Sequence, residues 1–190
     1  MDNLVDKLCA AIAAGDEAEA EQLAQVIGKM GKRAGHALRD MLAAGERDHR
    51  WWAVRALAAA GSVPPLVAAL EDPDADVRAC AVVGLAELRP PEAVLPLTAL
   101  LSDPSAYVAR LAADALARFG RPAAAALIAA LQDGDVAARA GAARALSSIQ
   151  PPEAIPALCA ALDDPSAIVT HYAQEALEQM GVGMVLFRPA

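Results

Sequence analysis

The stretch that decides the fold is residues 74–104, which reads DADVRACAVVGLAELRPPEAVLPLTALLSDP. The pattern of its first twelve residues recurs, without gaps, at intervals of 28 to 31 residues. Recurrence at such a period is typical of proteins built from stacked units, in which each repeat contacts mainly its neighbours. The four aligned segments are ERDHRWWAVRAL from Glu46, SAYVARLAADAL from Ser105, DVAARAGAARAL from Asp135 and SAIVTHYAQEAL from Ser166.

Each copy carries the signals of two helices. In the quoted stretch, Val77, Ala81 and Leu85 fall on one face of a first helix, and Leu97 and Leu101 follow i, i+4 spacing on a second. A Pro-Pro pair separates the two helices, and an Asp-Pro turn closes the copy. Because each narrow apolar face needs a neighbouring helix to cover it, the sequence predicts an all-α fold, an α-solenoid (α-α superhelix) of about six helix pairs.

The remaining segments fit around these copies. Residues 1–15 are predicted to form an N-terminal capping helix, and residues 16–45 a degenerate further repeat. The recognisable repeats span residues 46–180, and residues 181–190 form an apolar C-terminal tail. Four consecutive apolar residues, 184–187, are not expected to stay in water. They either seal the last repeat or dock onto another chain.

The motif D-x-D-V-R-x-x-A-x-x-x-L followed by P-E-A-V-x-P-L-x-x-L-L-x-D-P, over residues 74–104, resembles the short HEAT repeats named after phycobilisome lyases. A second version of its latter half, P-E-A-I-P-A-L-x-x-A-L-D-D-P, spans residues 152–165. The resemblance covers roughly residues 16–180 and implies a HEAT-like solenoid. It implies less about function, because such repeats occur in lyase subunits, in metal-dependent hydroxylases and in many adaptors.

No pattern for catalysis, a metal or a cofactor stands out. The three histidines, His36, His49 and His171, do not form an HExxH motif. None is followed by glutamate, whereas the hydroxylases that share these repeats bind iron through His-Glu dipeptides. We therefore expect a protein that is not an enzyme and holds no cofactor, although a role as a lyase subunit stays open.

The net charge and the cysteines limit which classes of partner and which cellular compartment are expected. The net charge is −8 and no segment is strongly basic, which disfavours nucleic acid, including a DNA-lesion-binding role. The longest uncharged apolar runs are about half a membrane span, so no membrane partner is expected. Cys9, Cys80 and Cys159 form no CxxC motif, and the N-terminus lacks the basic stretch of an export signal. A reducing, cytoplasmic location is predicted.

Three arginines share one position of the repeat: Arg50, Arg78 and Arg139. We call them the arginine ladder and expect them to pair with turn acids, which requires no ligand. The ladder is interrupted where Ala109 and Thr170 take the arginine's place.

The predicted function is a scaffold or adaptor of bacterial type that holds an unidentified protein partner. Helical phase places Trp51 on the exposed side of its helix and Trp52 near the core. A row of small residues, flanked by Pro65, Pro96, Ala126 and Ala157, is predicted to floor a concave face formed by the second helices. Alternatively, the N-terminal helices cover Trp51 and the alanines merely allow tight curvature. The partner-binding candidates are Trp51, Ala68, Leu95, Ala99, Ala129, Ala160 and Phe187.

The alternative function comes from the resemblance alone. It is a phycobilin lyase-like subunit or a chaperone that handles a linear tetrapyrrole. The sequence contains no residue that is specific for a tetrapyrrole.

Overall fold

The computed structural model describes residues 2–30 and 35–182, and within these ranges it contains helices and no β-strand. The helices begin and end where the repeat frame predicts, which confirms an all-α fold of the α-solenoid class. The helices are α1 Asp2–Ala14, α2 Glu17–Lys29, α3 Gly35–Ala44, α4 Arg47–Ala59, α5 Val63–Ala68, α6 Ala75–Leu88, α7 Val94–Ala99, α8 Ala106–Phe119, α9 Arg121–Asp133, α10 Val136–Ile149, α11 Ile155–Ala160 and α12 Ala167–Gln179.

Three of the second helices, α5, α7 and α11, are shorter than the first helices. The six-residue helices α5, α7 and α11 each continue into one turn of 3₁₀ helix, at Ala69–Glu71, Leu100–Ser102 and Ala161–Asp163. A 3₁₀ turn, Pro91–Ala93 or Pro152–Ala154, precedes α7 and α11, so Pro96 and Pro156 fall inside a helical segment that has already begun. Helix α9 has only Pro122, at its start, and runs unbroken for 13 residues. It is therefore the most regular of the second helices.

Residues 1–90 form one compact unit. Within it α2 packs on α4, α4 packs on α6, and α5 packs against both α4 and α6. The contact between helices is close at two glycines: a Cβ at Gly28 would lie 2.5 Å from the Cβ of Ala59, and one at Gly84 would lie 2.7 Å from that of Ala58. The largest fully buried side chains of this unit are Leu8, Ile27, Leu38, Leu57, Leu66 and Leu85.

Residues 91–190 form the second compact unit. Helix α10 packs against α8 and α12, and α9 packs against α7, α10 and α11. Each helix therefore contacts those of its own and the adjacent repeats, as a stacked architecture requires. The largest fully buried side chains of this unit are Leu97, Leu101, Leu116, Leu127, Leu146 and Leu158.

Every first helix of the aligned repeats ends at a residue with positive φ. This left-handed conformation stops the helix and turns the chain towards the second helix. Glycine adopts it without a steric penalty, whereas two copies use residues with a Cβ. The residues are Gly61 (65°), Arg89 (51°), Gly120 (68°), Gln150 (55°) and Gly181 (75°).

The turns between repeats use their polar residues in two ways. Asp74 and Asp135 cap the helices that follow, because their carboxylates accept hydrogen bonds from Asp76 N and Ala138 N at 2.9 and 2.8 Å. Ser166, at the N-cap position of α12, makes no side-chain capping bond. Its own N–H instead donates to Asp164 at 2.8 Å, so the aspartate before the proline organises this turn.

Candidate functional site

The arginine ladder closes individual repeats. Arg50 donates from Nε and Nη2 to both carboxylate oxygens of Asp72, at 2.8 and 2.9 Å, and from Nη1 to the carbonyl oxygen of Gly45 at 3.3 Å. Arg139 repeats this arrangement with Asp164, at 2.7 and 3.1 Å, and with the carbonyl oxygen of Gly134 at 3.0 Å. Each of these two arginines thus joins a first helix to the turn at the end of its own repeat, with bidentate geometry.

The third arginine and the titration of the acids fit the same structural role. Arg78 donates to the carbonyl oxygens of Asp72 and Pro73, at 2.8 and 3.1 Å. Burial alone would raise the pKa of Asp72, but the hydrogen bonds from Arg50 and from the N–H of Asp74 outweigh it and hold the pKa below its ordinary value. The hydrogen bond from Arg139 lowers the pKa of Asp164. The expected pairing with turn acids is therefore present at Arg50 and Arg139, and Arg78 binds carbonyl oxygens of a turn.

The interruption of the arginine ladder leaves one acid, Asp133, without an arginine partner. Asp133 occupies the same place before its turn as Asp72 and Asp164, but Ala109 stands where the partner arginine would be. Asp133 is exposed, and within the described residues it has no hydrogen bond or ion pair. The sequence placed the interruption correctly and did not single out the acid that it leaves unpaired.

Three second helices of residues 91–190 present a contiguous apolar surface. Leu95 on α7 has 73% of its surface exposed, the largest fraction among the exposed large hydrophobic residues. Helix α9 packs against α7 and α11, so the three helices are adjacent, and their exposed residues occupy equivalent positions of the repeat. We call this surface the second-helix face: Leu95, Ala99, Ala125, Ala129, Pro156 and Ala160, all of which are exposed.

The exposed row therefore includes Ala99, Ala129 and Ala160. The residues predicted to flank this row were partly wrong. Ala157 is buried and Ala126 is half-buried, because both turn towards the adjacent helices. The exposed companions are Ala125 and Pro156, in register with Leu95. Their spacing of four residues from Ala129 and Ala160 was the signal that could have identified them. In the first unit the corresponding exposed pair is Pro64 and Ala68.

Charged residues frame the second-helix face. Glu92, Arg121 and Glu153 lie at the starts of its helical segments, and Arg121 Nη2 lies 3.4 Å from a carboxylate oxygen of Glu153. Asp133 and Asp163 lie at the ends. The frame carries four acids and one base, and the one base is already paired.

Trp51 differs from its prediction. It is half-buried rather than fully exposed, and Trp52, predicted in the core, is half-buried as well. Their ring centroids are 4.9 Å apart with planes at 85°, an edge-to-face pair. Ala79 and Ala140, which occupy the same repeat position as Trp51, are buried. Arg110 and His171, at the same position, are exposed, so the cover of this flank differs between repeats, which the phase of a single helix does not reveal.

The described residues offer little to hold a metal or to react. They contain no group of three or more His, Cys, Asp or Glu side chains that could hold a metal ion. Cys9, Cys80 and Cys159 are free thiols, and burial raises the pKa of Cys80 to about 11. Among the helices of residues 2–30 and 35–182, none is both long and apolar enough to cross a membrane. Phe187 and the rest of residues 183–190 lie outside the described part.

Comparison with known proteins bears on the fold. The sequence model of a family described as HEAT repeats matches residues 36–105, 63–127 and 94–178, which together extend over more than half of the chain. No curated protein sequence matches.

Solved structures share the fold along most of the chain. An engineered protein, structural genomics target OR329, is 26% identical with a TM-score of 0.52, covering 94% of this chain and 97% of its own. The complex of CpcE and CpcF of phycocyanin lyase from Nostoc sp. PCC7120 is 25% identical with a TM-score of 0.50, covering 93% and 77%. A designed armadillo repeat protein in complex with the peptide (KR)4 is 21% identical with a TM-score of 0.52, covering 94% and 98%, and shows the fold alone.

Proposed function

Because this chain belongs to the HEAT-repeat family, we propose that it is a non-catalytic scaffold that binds a protein partner on its second-helix face. The observation that carries the proposal is the contiguous set of exposed apolar residues on α7, α9 and α11. Single exposed apolar residues are ordinary, whereas a contiguous group rimmed by polar residues is typical of an interaction site.

The chemistry of the face suits a protein rather than a small substrate. Leu95 projects from a floor of alanine and proline, which would let a partner backbone approach closely. The acids on its rim are spread over different repeats instead of converging on one point. Trp51 and Ala68 belong to residues 1–90, and we treat them as separate candidate contacts.

The test uses two matched substitutions in co-purification from the source cells. Ala129→Glu places a charge at the centre of the face, on α9. Ala137→Glu makes the same change at an exposed position of α10, outside the face. Both positions are exposed and helical, so circular dichroism should show folded proteins in both cases. The wild type and Ala137→Glu should retain the same stoichiometric partner, and Ala129→Glu should lose it. Retention of the partner by Ala129→Glu would reject the face as the binding site.

We also propose a cellular compartment for this protein. Three free thiols in a chain without disulfides in its described part fit a reducing location, for which the cytoplasm is our proposal. Partial alkylation of intact cells followed by mass spectrometry would report whether these thiols are reduced there.

A second candidate is a phycobilin lyase-like subunit or chaperone. The similarity to the CpcE–CpcF complex, at 25% identity, favours it. On this alternative, titration of the purified chain with phycocyanobilin should shift and intensify the visible absorbance of the bilin. A spectrum that stays equal to that of the free bilin at every ratio would dispose of this candidate and leave the scaffold proposal intact.

A further inference from the structure

The charge on the frame of the second-helix face is uneven. At the starts of the helical segments, the Arg121–Glu153 pair is neutral as a unit and leaves Glu92 as the net charge. At the ends, Asp133 and Asp163 are both exposed and lack ion-pair partners within the described residues. The ends of the second helices therefore form the more negative edge of the face.

Asp133 is not explained by the stability of its own helix. It is the last residue of α9, where the negative end of the helix dipole disfavours a carboxylate. Its counterparts Asp72 and Asp164 are each neutralised by an arginine, whereas Ala109 leaves Asp133 without one. An unpaired carboxylate at this place is the kind of local cost that proteins carry where a partner supplies the missing charge.

The distance between the two charged edges of the second-helix face fits the width of an α-helix. Ten residues separate Glu153 from Asp163, and their α and 3₁₀ segments correspond to about 15–18 Å of helical rise. An α-helix with its side chains is about 10–12 Å wide and fits between these edges. Three adjacent helices at about 8–10 Å spacing extend over about 20 Å between outer axes, the length of about thirteen helical residues.

We propose that the second-helix face binds an amphipathic helix of the partner protein, whose apolar stripe covers Leu95 and the alanine floor and whose basic flank meets Asp133 and Asp163. This inference rests on the scaffold function proposed above and names the chemistry of the partner. The other flank of the helix meets the Arg121–Glu153 pair and Glu92, and is expected to be less basic than the first flank. Because the acids are exposed, salt should weaken the charged contacts more than the apolar ones.

The experiment is a selection on the purified full chain. The probe is a phage-displayed library of helix-forming peptides with a fixed stripe of leucine and alanine. Positions on both flanks are randomised among lysine, glutamate and glutamine. We expect recovered sequences to carry more lysine on one flank than on the other. Equal recovery of lysine, glutamate and glutamine on both flanks would overturn the inference.

Variants then locate the charges by fluorescence anisotropy of the best recovered peptide. Asp133→Asn combined with Asp163→Asn should weaken binding about fivefold to tenfold at low salt, since each exposed pair contributes modestly. Asp40→Asn, at an exposed acid of α3, is the matched control and should leave the affinity unchanged. Ala109→Arg, which supplies Asp133 with a partner inside the chain, should weaken the peptide by about twofold to fivefold without unfolding the protein.

Two failures are distinguishable. If Ala129→Glu abolishes peptide binding but the aspartate variants do not change it, the scaffold proposal stands and the basic helix is rejected. If Ala129→Glu leaves peptide binding intact, or if the library yields no binder that the wild type retains, the face itself is rejected for this class of partner.

Discussion

Arg139 and Asp164 lie 25 residues apart in sequence and form a bidentate ion pair, with Nε at 2.7 Å and Nη2 at 3.1 Å from the two carboxylate oxygens. The pair joins the first turn of α10 to the turn that follows α11, so it closes one repeat. Arg50 and Asp72 do the same in an earlier repeat. Side chains at both pairs are mostly buried, which favours a larger contribution than an ordinary surface ion pair makes.

The first prediction separates two adjacent acids. Asp164→Asn removes the charge that Arg139 binds and should lower the melting temperature by several degrees. Asp163→Asn, one residue earlier at an exposed position, should leave it within about one degree of the wild type. Differential scanning fluorimetry of the two variants provides the comparison. Equal melting temperatures for both variants would show that the ladder does not stabilise the fold.

The second prediction concerns acid. The pKa values of Asp72 and Asp164 are lowered in the folded protein, from an ordinary value of 3.8. Between the lowered and the ordinary value the unfolded chain binds protons that the folded chain does not, so falling pH favours unfolding. The stabilisation is fully present above the ordinary value and is lost as the pH falls through the folded value.

The measurement is the melting temperature from neutral pH down to about pH 2.5. The double variant Asp72→Asn/Asp164→Asn should begin lower at neutral pH and decline less steeply below about pH 4. Some decline should persist in this variant, because Arg55 also lowers the pKa of Glu21. An unchanged slope in the double variant would mean that these two carboxylates are not the groups that acid titrates during unfolding.

The third prediction completes the ladder. Ala109→Arg places an arginine in register with Arg50 and Arg139 and should pair with Asp133. We expect the free energy of unfolding to rise by up to about 1 kcal/mol, measured by urea denaturation. The gain should disappear in the Ala109→Arg/Asp133→Ala background. A gain that survives there would come from other contacts of the arginine and not from the ion pair, since arginine's helix propensity is below that of alanine.

The fourth prediction tests the close packing of α6 against α4. Gly84→Ala would put a Cβ 2.7 Å from the Cβ of Ala58, which neither helix can accommodate without moving. We expect a loss of about 1–3 kcal/mol in the free energy of unfolding. Gly35→Ala is the control, because a Cβ there meets nothing within 4 Å and should be neutral or slightly stabilising. Stability equal to the wild type for Gly84→Ala would contradict the close approach.

Much of the fold was available from residue periodicity. The first helices α4, α6, α8 and α10 each end within two residues of a glycine or a proline of the sequence. Local chemistry suffices at these points, because glycine, proline and aspartate stop helices whatever surrounds them. The exposure of Ala99, Ala129 and Ala160 was predictable for a related reason, since each lies opposite a leucine stripe on its own helix.

The sequence by itself therefore determined the repeat, the helix pairs, the ladder and its interruption at Ala109, because these depend on interactions within one helix or one turn. Only the tertiary structure decided which flanks are covered. It half-buried Trp51, covered Ala79 and Ala157, and left Leu95 exposed. The physical reason is that burial at a flank depends on the distance to the next repeat, and the periodicity of a single helix contains no information on that distance.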